Sequence, residues 1–296
     1  MLFIAMTAFL WGTVGVASKG IHEAAYTNAL SLSFFRLALS TPVFLLACRH
    51  LVGPRMLAIE RRDLWIVMVM GVSLAIHQIT YFAAVEALGV MVAVLVAICS
   101  APVVVALLSA LLLGERMTHR VLLALVCALG GTALLVAQPD TASVKPITFG
   151  GVLLALAAGS SYAVVALCSR SLAGNYHPLQ PISIAFVLGT ILVLPFVLFT
   201  GGGLALSYPP QGWLLLLYIG MLPTALAYLL FVSGLRTTTA TVASIITLLE
   251  PLTSTVLAWF IFREQLGPRG VQGAILLLAA MMLLLWQPSR PRQAGV

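Results

Sequence analysis

The sequence predicts an all-α integral membrane protein whose ten transmembrane helices form two inverted five-helix repeats. Three observations lead there. Of 296 residues, 61% are hydrophobic and only 8% are charged, and the mean hydropathy is +1.12. A soluble domain carries roughly 25% charged residues, so a water-soluble globule is excluded. The apolar residues are gathered into ten runs of about membrane length. Landmark residues of the first five runs then recur in the second five.

A hydrocarbon core about 30 Å thick is crossed by roughly 20 helical residues. Taken in order, the runs that meet this length are 2–19, 28–48, 64–86, 90–113, 120–138, 148–169, 179–200, 212–234, 240–262 and 270–287. The first lacks a positively charged start and another run follows at once. It is therefore expected as an uncleaved span and not as a secretory signal. Connections are short except for Arg49–Asp63 and the Gly/Pro-rich Thr200–Gln211. No soluble domain of useful size remains, and no GxxxxGK[ST] loop is present to cradle a nucleotide phosphate. An ATP-driven pump within this chain is thus disfavoured.

The repeat appears when Pro102 is set on Pro251, 149 positions later. Glu115 then meets Glu264, Arg120 meets Arg269, Gln138 meets Gln287 and Pro139 meets Pro288. Two residues of slippage bring Tyr81 onto Tyr228, Val85 onto Val232 and Leu88 onto Leu235. Near the start of each half Trp11 meets Tyr162 and Ser18 meets Ser169. The two units are 1–139 and 146–288. Each holds five spans, an odd number, so the second enters the bilayer upside down. Inverted repeats of this kind place a substrate site near mid-membrane, between the halves.

Lysine and arginine in short loops set orientation. With the N-terminus inside, Arg49, Arg55, Arg61, Arg62, Arg116, Arg120, Arg170, Arg236, Arg290 and Arg292 are cytoplasmic. Lys19, Lys145, Arg263 and Arg269 are external, and Arg36 stays inside a span. Both termini are therefore expected in the cytoplasm. The basic residues form no stripe with interleaved aromatics, so the net charge of +7 does not point to nucleic acid. Cys48, Cys99, Cys127 and Cys168 lie within apolar runs without metal-type spacing, and read as small core hydrophobes.

Aromatics of membrane proteins gather at the interfaces. Trp65, Tyr176, Tyr208, Trp213 and Trp286 follow that habit. Trp11, Tyr81, Tyr162 and Tyr228 sit near the centres of their spans, where an N–H or O–H needs a partner. Each alone could be helix packing; four at repeat-related positions read as the walls of a cavity. His77 and Tyr81, four apart, share a helix face, with Gln78 beside them. His77 is either a satisfied core residue or a donor to a substrate carboxylate.

Glu250 lies at mid-depth of its run, where an acid costs at least ~2.5 kcal/mol. It could bond donors freed at Pro251, pair with a cation such as Arg36, or bind a substrate amine or a proton. Arg36 itself is accounted for by snorkelling to the outer surface. Pro251 and Pro102 remove a backbone donor each and are expected to bend or open their helices. Glu115 and Glu264 close their spans as interfacial anchors. The expected cavity residues are Trp11, His77, Gln78, Tyr81, Ser100, Tyr162, Tyr228 and Glu250. No HExxH or CxxC companion is present, so neither a metal nor another cofactor is expected, and no nucleophile–base set points to an enzyme.

Leu10-Trp11-Gly12, Pro102 followed by Gly114-Glu115-Arg116, and Glu250-Pro251 leading to Arg263-Glu264 resemble the drug/metabolite transporter superfamily, in its EamA-type ten-helix branch. The resemblance covers essentially the whole chain. The second copy departs from it in having Arg263 where a glycine precedes the glutamate. It implies a carrier of small metabolites, often amino acids, outward across the bacterial inner membrane. The partners implied are a small-molecule substrate and the bilayer. A monomer would suffice, although small-residue faces serve internal and external packing alike. His77, Gln78 and Tyr81 resemble the aromatic amino acid exporter branch (the YddG type, also linked to methyl viologen). Multidrug efflux is the rival function, since an aromatic cavity with one acid also suits lipophilic cations.

Overall fold

A computed structural model of the chain describes residues 1–24, 27–115, 117–136, 148–199, 203–262 and 268–285. The landmarks Arg116, Gln138, Pro139, Lys145, Arg263, Glu264, Trp286, Gln287, Pro288, Arg290 and Arg292 lie outside these residues. The described helices are α1 (Leu2–Ala24), α2 (Ala29–Val52), α3 (Arg61–Leu88), α4 (Val90–Leu112), α5 (His119–Val136), α6 (Phe149–Leu172) and α7 (Leu179–Phe199). They continue with α8 (Pro210–Gly220), α9 (Ala227–Gly234), α10 (Ala240–Ile246), α11 (Leu249–Phe262) and α12 (Pro268–Leu285). A π-helical segment, Met221–Leu226, joins α8 to α9. Eight stretches are long and apolar enough to cross a membrane, with α8–α9 and α10–α11 each counting as one; α5 and α12 supply two shorter apolar helices. Large side chains such as Leu111 and Phe149, each 79% exposed, and Phe199, 86% exposed, are tolerable only against lipid.

The halves interlock in pairs related by a pseudo-twofold axis. Helix α3 packs on α6, and its counterpart α8–α9 packs on α1; α4 packs on α6, and α11 packs on α1. Two pairs are their own counterparts, α2 with α7 and α5 with α12. Glycines mark the closest approaches, since a Cβ there would strike the neighbouring helix. A Cβ on Gly71 would lie 2.9 Å from Leu188 of α7, and one on Gly220 would lie 2.7 Å from Leu39 of α2. Both members of these pairs are 149 positions apart, so one contact repeats the other.

That repetition locates the two-residue slip. Gly71 and Gly220 hold the 149 register, whereas Tyr81 and Tyr228 do not. The slip therefore begins inside the eighth span, between Gly220 and Tyr228, and ends before Pro251. Thr224 donates its hydroxyl to the Ile219 carbonyl at 2.7 Å, occupying an acceptor in the widened turn.

The two matched prolines behave differently. Helix α4 runs through Pro102 unbroken, so the expected opening of the helix does not occur there. Its flank is pressed against α6 at Gly159, where a Cβ would meet the carbonyl of Ala97 at 2.6 Å. A neighbouring helix at that range holds the proline's turn in place. The ninth span does break, at Thr247–Leu248. The Glu250 N–H donates to the Thr247 carbonyl at 3.0 Å, and Pro251 falls in the first turn of α11, where a missing N–H is harmless.

Candidate functional site

A space lies between the halves beside the break in the ninth span, whose residues Thr247 and Leu248 line it. A cavity of about 690 Å³ occupies it, lined by α1, α2, α3, α4, α6, α9, α10 and α11. Trp11, His77, Gln78, Tyr81, Tyr162, Tyr228 and Glu250 all face it, as do Pro102 and Pro251. Ser100 does not. Its hydroxyl donates to the Ala97 carbonyl of its own helix at 3.1 Å and is packed against Gly159. Ser100 therefore serves the α4–α6 crossing, and a glycine opposite it is what admits its side chain.

The floor is aromatic. Trp11 meets Tyr162 edge-on with centroids 5.8 Å apart, and is tilted against Tyr228 at 5.3 Å and Phe231 at 5.6 Å. Tyr162 comes from α6 and Trp11 from α1, so this contact joins repeat-related positions across the axis. His77 stacks with Tyr81 at 6.0 Å and approaches Tyr162 at 5.9 Å. Phe231, fully buried behind the floor, was not singled out in the sequence, because a phenylalanine in a span carries no polar demand. Among the described residues, Trp11 Nε1 is buried without a hydrogen-bond partner.

The polar residues divide by what their hydrogen bonds leave free. His77 Nδ1 lies 2.9 Å from the Ala158 carbonyl. A carbonyl only accepts, so Nδ1 carries the proton and a neutral ring turns an accepting Nε2 elsewhere. Ser33 donates to Gln78 Oε1 at 3.3 Å, which keeps the Gln78 amide nitrogen available. Arg36 also lines the cavity. Its Nε donates to Thr224 at 3.4 Å, so it points inward from α2 and does not snorkel to the surface. Position along a span suggested the latter; only the rotation of α2 decides it.

One end of the cavity is open. Along α1 its wall runs from Trp11 through Gly15 and Ser18 to Lys19 and His22, both exposed. The other end is sealed. Below Trp11, Ile4, Thr7 and Ala8 are fully buried, and Thr7 donates to the Ala227 carbonyl at 3.0 Å. Where α4 meets α10, the Glu115 carboxylate accepts from the N–H groups of Ala240 at 2.8 Å and Thr241 at 3.2 Å, and from the Thr241 hydroxyl at 3.0 Å. Thr239 takes the next N–H, that of Val242, at 3.3 Å. The donors that a helix start leaves unpaired are thus met from both halves. Ser109 and Thr241 hydroxyls lie 2.7 Å apart beside them, and Arg170 Nε stands 3.8 Å from Glu115. Glu115 is more than an interfacial anchor: it joins the halves.

An inverted-repeat helical bundle with a cavity between its halves, open at one end, is the architecture of a membrane transporter. The chain belongs to the EamA-like transporter family, whose model matches residues 1–137 and again residues 149–286. It is 32% identical over 295 residues to the uncharacterized transporter YwfM of Bacillus subtilis, spanning 99% of this chain and 96% of that one. It is 25% identical to the uncharacterized inner membrane transporter YicL of Salmonella typhimurium, over 100% of this chain and 98% of the relative. One crystal structure shares the fold with a TM-score of 0.80 at 21% identity, covering 95% of this chain and 94% of that one.

Proposed function

We propose that this transporter exports small amphipathic metabolites, amino acids above all, across the bacterial inner membrane by alternating access. The observation that carries the reading is the aromatic-floored cavity, reachable from one end and sealed at the other. A flat or apolar side chain fits against Trp11, Tyr81, Tyr162 and Tyr228, each ring contact contributing ~0.5–1.5 kcal/mol. With both termini in the cytoplasm, the open end faces outward, so this is the conformer from which an exporter releases its substrate. A monomer is sufficient, because the cavity is enclosed by one chain.

The test is flux into liposomes. The purified protein should equilibrate phenylalanine or threonine with saturation and counterflow, which separate a carrier from a channel. Tyr81→Ala should lower phenylalanine flux by about fivefold, the loss of ~1 kcal/mol of ring contact, with the protein still folded. Unchanged flux would remove Tyr81 from the site. Efflux of lipophilic cations is the second reading, favoured by one carboxylate among aromatic faces. Competition between phenylalanine and methyl viologen for the same carrier decides between them.

A further inference from the structure

An arginine and a glutamate share the cavity without forming an ion pair with each other. Arg36 enters from α2 and Glu250 from α11, both half-buried and both in the lining. They are within electrostatic reach of one another, yet no ion pair of 4.0 Å or less joins them. Among the described residues, the Glu250 carboxylate accepts no hydrogen bond. Arg36 spends one of its five donors, Nε, on Thr224 at 3.4 Å, and its terminal fork has no hydrogen-bond partner among the described residues. Glu250 has no counterpart in the repeat: 149 positions earlier stands Ala101. The acid is an addition to one half, where the aromatic pairs are common to both.

We infer that Arg36 and Glu250 are the two poles of a zwitterion site, with a substrate carboxylate on the Arg36 fork and its ammonium group on Glu250. The inference rests on the amino-acid reading above and names how that substrate lies. A planar guanidinium matches a carboxylate through two parallel hydrogen bonds, and a separated pair leaves room for the molecule that bridges it. His77 cannot replace Arg36 here, because its Nδ1 proton is committed to Ala158 and Nε2 of the neutral ring accepts. The side chain of the substrate then falls against the Trp11–Tyr162–Tyr228 floor. Arg36 is also what sets amino acids apart from lipophilic cations. Both gain from Glu250 and the rings, but a cation lacking a carboxylate meets the guanidinium as a like charge in a cavity of low dielectric.

Three compounds of one shape test this in liposomes: phenylalanine, phenethylamine (no carboxylate) and 3-phenylpropionate (no ammonium). The parent protein should prefer phenylalanine to either. Arg36→Gln should lower the ratio of phenylalanine to phenethylamine transport by about tenfold or more, as expected when a charge-assisted pair is lost. Glu250→Gln should do the same to the ratio of phenylalanine to 3-phenylpropionate. Because each ratio is taken within one variant, the amount of folded protein cancels. If Arg36→Gln does not fold, Arg36→Lys carries the test: it keeps the charge and loses the fork, and should lower the same ratio by a smaller factor. Phenylalanine flux with ratios unchanged in the variants would overturn the zwitterion site alone. No phenylalanine flux in the parent protein would overturn the amino-acid reading beneath it.

Discussion

Glu115→Ala is expected to unlock the sealed end and raise the population open on that side by about 100-fold. The Glu115 side chain is 10% exposed and holds two N–H groups and a hydroxyl of α10. Hydrogen bonds to a charged group contribute ~1.5–3 kcal/mol each, with neighbours in one cluster adding less than their sum. A net loss of about 3 kcal/mol corresponds to roughly 100-fold in an equilibrium constant. The check is a single cysteine at Ser109, a fully buried position next to Thr241, in a background where Cys48, Cys99, Cys127 and Cys168 are replaced by serine. With opening fast relative to labelling, the reaction of Ser109→Cys with a water-soluble maleimide reports the open population. Equal rates with and without Glu115→Ala would show that the carboxylate does not hold the end closed. The same loosening should slow transport by the proposed alternating access, which needs each end closed in turn.

The second large effect concerns how the halves are joined away from the cavity. A Cβ on Gly131 would meet the Gly273 carbonyl at 2.8 Å and the Leu277 nitrogen at 3.0 Å, both backbone atoms of α12. Backbone cannot step aside as a flexible side chain can, so Gly131→Val must separate α5 from α12. Overpacking of this sort costs typically about 1–3 kcal/mol, and the upper end is expected here. Its neighbour provides the control: a Cβ on Gly130 meets no described atom within 4 Å. Gly130→Val should leave stability within about 0.5 kcal/mol of the parent. Thermal unfolding in detergent, compared between the two variants, separates a tight helix crossing from a general intolerance of bulk. Equal losses would refute the close approach.

The sequence reached some features of the site and missed others for definable reasons. The mid-span aromatics were legible because a Tyr or Trp at that depth needs a partner and because four of them stood at repeat-related positions. The cavity faces Trp11, Tyr81, Tyr162 and Tyr228 as expected. Ser100 was misread because a small hydroxyl at mid-span can satisfy itself on its own helix, as it does on Ala97. Arg36 was misplaced for another reason. A long cationic side chain near a span end can reach the surface or the interior with equal ease, and the turn of α2 about its axis selects between them. A bend or opening was expected at both matched prolines; the ninth span breaks at Thr247–Leu248, before Pro251, whereas α4 runs through Pro102. The two prolines carry the same local instruction, and packing against Gly159 overrides it in one copy.

What the sequence determined alone is what a bilayer demands of any chain. Ten apolar runs must be helices, because backbone groups find no other partner in hydrocarbon, and an odd number of spans per repeat must invert the second copy. Which face of each helix turns inward was left to the tertiary structure. Lipid is as apolar as a protein interior, so the helices carry no strong apolar stripe that would betray their buried side. The placing of Arg36 and Glu250 in one cavity, the pairing of Gly131 with α12 and the hold of Glu115 on α10 all depend on helix rotation and on docking one half against the other. Those are contacts between residues far apart in the chain, and only close packing across the pseudo-twofold axis brings them together.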